Sequence, residues 1–424
     1  MIKSYFENNN FKLEKIKNLF ENSDIRNTQK NKNYLSLVKN LGVVPYDERG
    51  SSGNKTSDVP EKYKLVDIND LVINPMNVTI GSVGVSKYSG CLSGVYLVLK
   101  PKKKILPKFY HYVFSDKKFQ NYLKTISNGI MEIRESLNKT EFFQLKIPNP
   151  TYEIQKVISS YLDKKIELID SLISKTKKKI ELLKQQKNSF INEIVTKGYD
   201  ESAIELKETN IDWIQKIPNH WDLKKLKYIS SIKFSSIDRH EYKDEKIVSI
   251  CHYPDVYKNE FIYKDTNLPK GTCTDREYEK FSLKENDIIL TKDSETPEDI
   301  GIPTFVSDRL SNTVCGYHLA IIRCLENKIL PKYLYRYIES QTVKNYFYFS
   351  SNGITRYGLG KSSIENLLIP IPPKKEQEII SNKIDLMSKK TFELKKYYLK
   401  RIQLLNEYKE NIISNAISGK IKLI

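Results

Sequence analysis

The chain has 424 residues, 70 of them Lys or Arg against 52 Asp or Glu, for a formal charge of +18, and it carries 28 tyrosines. That length holds two to three domains with ordinary cores, and a basic excess with many flat, hydrogen-bonding rings suits a polyanion whose bases can be stacked or touched. Five cysteines with no CxxC pair, and no apolar run of signal-peptide or membrane-spanning length, argue against a disulfide-stapled, secreted or membrane protein and place reduced thiols in the cytoplasm.

In chain order, residues 1–149 read as a mixed segment of short strands and helices. Strand-like runs lie at Leu71 to Ile73 and Val95 to Leu99, with turns at Asn74-Pro75 and Ser89-Gly90. From Thr151 the period changes. Ile166, Ile169, Ile173, Ile180, Leu183, Phe190 and Ile194 stand at three-, four- and seven-residue intervals, with Thr176 and Lys187 filling the seam between them, which predicts a long heptad helix over 150–198. Pro148 and Pro150 bar an earlier start and Gly198 supplies a stop. Residues 199–212 are polar and acidic, a linker in character. A second mixed segment follows over 213–371, and a second long helix over 372–424 carries Leu394, Tyr398, Ile402, Leu405, Tyr408 and Ile412 along its seam.

The two halves repeat one another. Asn-Gly-Ile at Asn128 returns at Asn352, and Leu-Pro-Lys-aromatic at Leu106 returns at Leu330, each displaced by 224 residues; Pro148 and Pro150 return as Pro370 and Pro372, displaced by 222. FKLEKIKNL from Phe11 is mirrored by WDLKKLKYI from Trp221, which sets where each copy begins. A period this long is a domain plus a connector rather than one turn of a solenoid. Each helix carries one narrow apolar stripe, and the simplest partner for one stripe is the other. The predicted fold is therefore two mixed α/β domains joined by two long helices in an antiparallel coiled coil.

At this point the residues resemble a known family, the DNA-specificity subunits of type I restriction-modification systems. IQKIPNHWDLKKLKYI (214–229) resembles the opening of a target recognition domain, and NGITRYGLGKSSIENLLIPIPPKKEQ (352–377) its exit into a conserved helical region. TKDSETPEDIGIP (291–303) with VCGYHLAII (314–322) is similar to one recurring recognition-domain type, and NDLVINPMNVTIGSVGVSKYSG (69–90) to another. The first copy departs from the pattern: its exit lacks the Thr-Arg-Tyr-Gly run, and Asn-Pro-Thr replaces the Pro-rich doublet. The resemblance implies a subunit that does no chemistry and uses no cofactor. Each recognition domain would read one half of a split, asymmetric double-stranded DNA target, with the helices as a ruler between them. Two adenine-methylating subunits would dock on the helices, and translocating nuclease subunits would complete the complex.

Read without the family, a pair of non-identical domains on a stiff spacer suits two short sequences separated by unread base pairs. Arg356 and Lys361, in a loop with Gly353, Gly358 and Gly360, are candidate phosphate contacts, since Gly lets backbone approach closely, and Tyr357 between them is a candidate DNA contact. Arg239, His240, Lys292, Ser294 and Thr296 are polar residues near turns of the second domain; Arg49, Ser51, Ser52, Asn77 and Thr79 are their counterparts in the first. Arg is the usual partner of guanine and Asn of adenine.

Other chemistries find weaker support. GLGKSS at Gly358 ends like a phosphate-binding loop, but Thr355 stands where its first Gly is required. NPMN at Asn74 lacks the second proline and the ring with which adenine methyltransferases hold a flipped base. Asp293, Glu295, Glu298 and Asp299 form a Pro-interrupted acidic loop that reads as solvated or capping, and Cys251-His252 has no second pair at metal-ligand spacing, so no metal is expected. The alternatives are a stand-alone methyltransferase or nuclease and a structural coiled-coil adaptor.

Overall fold

The structure, a computed structural model, describes residues 10–29, 32–39, 41–49, 60–76, 82–125, 127–128, 136–199 and 205–421. It divides into two compact units, one of Met1–Lys177 with Tyr398–Ile424 and the other of Lys178–Tyr397.

In the first unit a four-stranded antiparallel sheet runs in the order Phe20–Ser23, Leu97–Pro101, Leu71–Ile73, Val83–Val85. Successive side chains of a strand face opposite sides, and both sides are covered. Leu71, Ile73, Leu97 and Leu99 enter one core with Phe109, Val113 and Phe142 from the helices Pro107–Ser115 and Lys139–Gln144. Val72 and Val98 enter another with Leu35, Leu37 and Val43 of a hairpin. Such double-sided burial explains why these strands read as continuous apolar runs rather than as alternating ones.

The second unit repeats the device in a larger sheet. Ser230–Phe234, Leu319–Cys324, Ile288–Thr291, Pro303–Val306 and Phe261–Ile262 follow in that order. Ile288, Leu290 and Ile322 face the core of the helices, whereas Ile289, Leu319 and Ile321 face a second core built on the three-stranded sheet of Lys270–Cys273, Lys246–Cys251 and Thr313–Cys315. The repeat holds at the level of register: Leu13 pairs with Pro148 as Leu223 pairs with Pro370, and Phe20 with Pro101 as Ser230 with Cys324. Asn69 and Asn286 both take a left-handed backbone, at φ 72° and 70°, one residue before the buried Asp70 and Asp287.

The long helices span Tyr152–Lys197 and Lys374–Ile417. Each ends at a left-handed glycine, Gly198 at φ 86° and Gly419 at φ 68°, the backbone that a C-terminal cap requires. The first helix gives its opening turns to the first unit and its last to the second; the other does so in reverse order, as antiparallel partners must. In the first unit Ile169 and Ile173, with Ile166 at the margin, share a core with Ile412 and Ile413, flanked by Ile402 and Leu405. Thr176 is buried on the same stripe and gives its hydroxyl to Leu172 O. Tyr398, Ile180, Leu183 and Leu394 are half-buried.

Two expectations are corrected. Tyr408 is not on the seam: it is exposed, and Lys409 takes the position four residues after Leu405, its ammonium 2.7 Å from Asp170. Part of the linker expected over 199–212 is a strand: Leu206–Ile211, largely exposed, pairs antiparallel with Ile214–Pro218.

Candidate nucleic-acid interface

In the second unit the strands Lys246–Cys251 and Thr313–Cys315 run parallel and end side by side. Beyond them the chain enters His252-Tyr253 and Gly316-Tyr317-His318. A side chain at Gly316 would put its Cβ 2.7 Å from His252 Nδ1, so a larger residue there would push the imidazole aside. His318 then turns at φ 71°, and its carbonyl receives the Lys292 N–H at 3.0 Å. Next to Lys292, Asp293–Ser294 pairs with Tyr357–Gly358, which straps the Gly-rich loop across the same place.

These elements enclose a cavity of about 550 Å³. Four of the sequence-predicted residues line it: Arg239, His240, Ser294 and Arg356. Sequence reasoning missed Asp238, His252, Tyr253, Tyr317 and His318, which line it too, and read Asp293 and Glu295 only as part of a solvated acidic loop. Asp293 is half-buried; its Oδ2 accepts from Lys292 Nζ at 2.6 Å and from His318 Nδ1 at 2.7 Å. Burial alone would raise the Asp293 carboxyl, but the Lys292 and His318 hydrogen bonds outweigh it and hold the group below the usual aspartate value. On the far side of the imidazole, Arg356 Nη2 lies 3.1 Å from His318 Nε2. An arginine only donates, so Nε2 is the acceptor and the ring proton sits on Nδ1. Ser294 Oγ and Tyr253 OH stand 3.2 Å apart, giving the wall two hydroxyls that can each donate or accept. Burial and the Arg239 charge, against Asp255, push His252 below its ordinary value.

The remaining predicted residues lie elsewhere. Lys292 is not a surface contact: its ammonium is spent on Asp293 and stands 5.0 Å from the Tyr317 ring centroid, supporting the wall from behind. Thr296 is exposed on the acidic loop and donates to Asp299. Tyr357 packs against the core, and Lys361 is an exposed side chain 3.5 Å from Glu365. In the first unit Arg49 stacks over the Tyr46 ring at 4.1 Å. Ser51, Ser52, Asn77 and Thr79 lie outside the described residues. Among the described residues, no group of three His, Cys, Asp or Glu side chains is arranged to hold a metal ion, and no helix is long and apolar enough to cross a membrane.

The cavity's chemistry is of mixed sign. Arg239 and Arg356 stand beside Asp238, Asp293 and Glu295. A bare anion would meet carboxylates there, whereas the edge of a base, with donors and acceptors side by side, finds partners for both.

Comparison with known proteins gives the family. The model of the type I restriction modification DNA specificity domain matches twice, at residues 8–182 and 218–404. Among curated relatives, the putative type I restriction enzyme MjaX specificity subunit of Methanocaldococcus jannaschii is 26% identical over 376 residues, covering 85% of this chain and 80% of that one. The EcoKI specificity subunit of Escherichia coli K12 is 20% identical over 336 residues, covering 78% and 69%. A chain from a structural study of complex assembly and conformational transition of the type I R-M system has the same fold, with a TM-score of 0.74 at 11% identity over 97% of this chain and 98% of that one. The HsdS subunit from Thermoanaerobacter tengcongensis is similar as well, with a TM-score of 0.57 at 12% identity over 97% of each chain. With its specificity domain present in two copies that span most of its length, the chain belongs to the type I restriction-modification DNA specificity family.

Proposed function

We propose that this chain is the DNA-reading subunit of a type I restriction-modification complex, and that it recognises a split, asymmetric target with one recognition domain for each half. The observation that carries this reading is the family domain occurring twice on one chain, with shared scaffolds and unlike outward-facing segments. Residues 1–149 and 213–371 are the two readers, and the helices over 150–198 and 372–424 set the number of unread base pairs between the halves. Arg239, His240, Ser294 and Arg356 contact DNA from the second reader, with Thr296, Tyr357 and Lys361 at its margin. Arg49, Ser51, Ser52, Asn77 and Thr79 serve the first reader.

The chain itself is non-catalytic on this reading. His318 is oriented by a carboxylate, as a general base would be, but its second nitrogen is occupied by Arg356, and the nearby Ser294 hydroxyl is engaged with Tyr253. Such an arrangement fixes an arginine rather than activating a nucleophile. Methyl transfer, translocation and cleavage then fall to partner subunits. The second long helix offers those partners a surface. Ile379, Leu386 and Tyr397 are exposed on its stretch in the second unit, within about 20° of one line at 3.6 residues per turn, and Leu404 and Tyr408 are exposed on its stretch in the first. Exposed apolar rows of this kind mark protein contacts, and two adenine-methyltransferase subunits are the occupants proposed.

The test is a map of adenine methylation in an otherwise methylation-free host that expresses the methyltransferase subunit with and without this chain. A split motif that vanishes when the chain is omitted is expected. Methylation at a continuous site, or methylation independent of the chain, contradicts the reading. Shortening either long helix by two turns is expected to change the unread gap or abolish recognition; an unaltered target sinks the ruler.

A further inference from the structure

We propose that Arg356 reads a guanine in the second half of the target, and that His318 is the positioning residue which holds the guanidinium in place for it. The inference rests on the DNA-reading role above and deepens it by naming a base and its reader.

Arg356 is presented by a loop with little freedom. Asn352 and Gly358 exchange two backbone hydrogen bonds at 3.1 and 2.9 Å, closing the loop at its neck. Within it Gly353 stands at φ 149°, where a Cβ would come 1.9 Å from Arg356 O, so the tight path past the arginine is open to glycine alone. The exposed side chain would still be free to swing, and here the imidazole acts. His318 Nε2 takes one N–H of the fork, and the ring is itself fixed by Asp293, whose charge Lys292 sustains. The chain Arg356, His318, Asp293, Lys292 runs from the exposed mouth of the cavity to a half-buried ammonium, each link within hydrogen-bond distance of the next. Holding an arginine through a second residue lowers the cost of ordering it on a ligand.

The choice of ligand follows from charge and shape. Asp238, Asp293 and Glu295 share the cavity with Arg356, which disfavours a phosphate at this place. Guanine presents two acceptors, O6 and N7, side by side in the major groove, and the planar fork of arginine matches both at once. A lysine, a single point charge, does not.

The experiment uses the full chain with the methyltransferase subunits of its own system, read by methylation mapping. The second half-target is identified as the one that changes when residues 213–371 are exchanged. Wild-type protein gives the first answer: a second half without any G·C pair overturns the proposal, whereas failure to yield a split motif overturns the DNA-reading role beneath it. R356A and R356K are then expected to lose preference at one G·C position by about 5- to 150-fold, the range for a bidentate base contact, with every other position intact. H318N is expected to relax the same position to a smaller degree. Asn is the replacement of choice because the other non-glycine residues at positive φ among those described are all asparagines, so the backbone at 318 is retained. A uniform fall across all sequences with a smaller salt slope would make Arg356 a phosphate contact and overturn the proposal. Complete loss of methylation in R356A with an unchanged melting temperature would do the same.

Discussion

In the first unit Tyr112, six residues beyond Leu106, gives its hydroxyl to Asp163 of the long helix at 2.5 Å. In the second, the residue six beyond Leu330 is Arg336, and it reaches Asp385 of the other long helix at 2.8 Å, Glu260 at 2.7 Å and Glu339 at 2.6 Å while only 1% exposed. Lys187 of the first long helix joins Glu339 at 2.8 Å. The same station thus carries a single hydroxyl–carboxylate bond in one unit and a buried ionic network in the other. Two turns away the two shortest bonds are the same. Gln155 takes the Leu106 N–H at 2.7 Å and gives its amide to Pro150 O at 2.9 Å; Gln377 does the same for Leu330 and Pro372, at 2.8 Å each. What the copies keep is the bonding that seats a domain on its helix. What they vary is how many partners share the seat.

The sharpest way to break this comparison is at that station. Arg336→Ala removes the guanidinium from Asp385, Glu260 and Glu339 and leaves the half-buried Glu339 paired with Lys187, and it is expected to cost about 3 kcal/mol. Tyr112→Phe should cost only about 1 kcal/mol. Chemical denaturation with hydrogen exchange resolved by segment checks both, and equal losses would show that the network adds nothing over the hydroxyl.

Gln155→Ala and Gln377→Ala probe the shared part. Each leaves a backbone N–H and a carbonyl unpaired in a buried site and is expected to cost about 1–3 kcal/mol. Gln155 also meets Tyr110 OH and Asn149 Oδ1 at 3.4 Å each, so its loss should be the larger by a fraction of a kcal/mol; a loss at Gln377 that exceeds it would mean that the shared bonds carry unlike energies.

A smaller, pH-dependent difference should separate the units. His111 is half-buried with its Nδ1 shielded from solvent, and burial with the Lys108 charge, against Asp163, pushes it down to about 4 from an ordinary 6.5. Its counterpart by the repeat is Tyr335, which does not titrate in that range. Between pH 6.5 and about 4 the unfolded chain takes up a proton at His111 that the folded one refuses. The stability conferred by the neutral ring is therefore complete above pH 6.5 and lost as pH falls. Melting at pH 7 and pH 5 should show the first unit losing more than the second, and His111→Phe should remove the excess. An excess that survives the substitution would assign it to another group.

Much of the scaffold was legible in the residues. FKLEKIKNL and WDLKKLKYI were matched as the opening of each copy, and in the structure they hold equivalent pairings, Leu13 with Pro148 and Leu223 with Pro370. The heptads located both long helices. Hydrophobicity alone misled at Tyr408, because a lysine with a long apolar stem and an aspartate to meet fills the seam as well as a ring does. The cavity was half legible. Arg239, His240, Ser294 and Arg356 drew notice as polar residues near turns, whereas Tyr253, Tyr317 and His318 did not. They converge only because Ser249–Cys251 pairs with Thr313–Cys315 and Asp293–Ser294 with Tyr357–Gly358. Pairings between segments more than sixty residues apart leave no local period to read.

The central claim is that two independent readers ride on one repeated scaffold, and an exchange of readers tests it most directly. Residues 213–371 would be replaced by the corresponding segment of another member of the family, and the methylated motif mapped with the same methyltransferase subunit. One half of the motif should change while the other half and the gap stay as they were. A change in both halves, or in neither, would contradict the account.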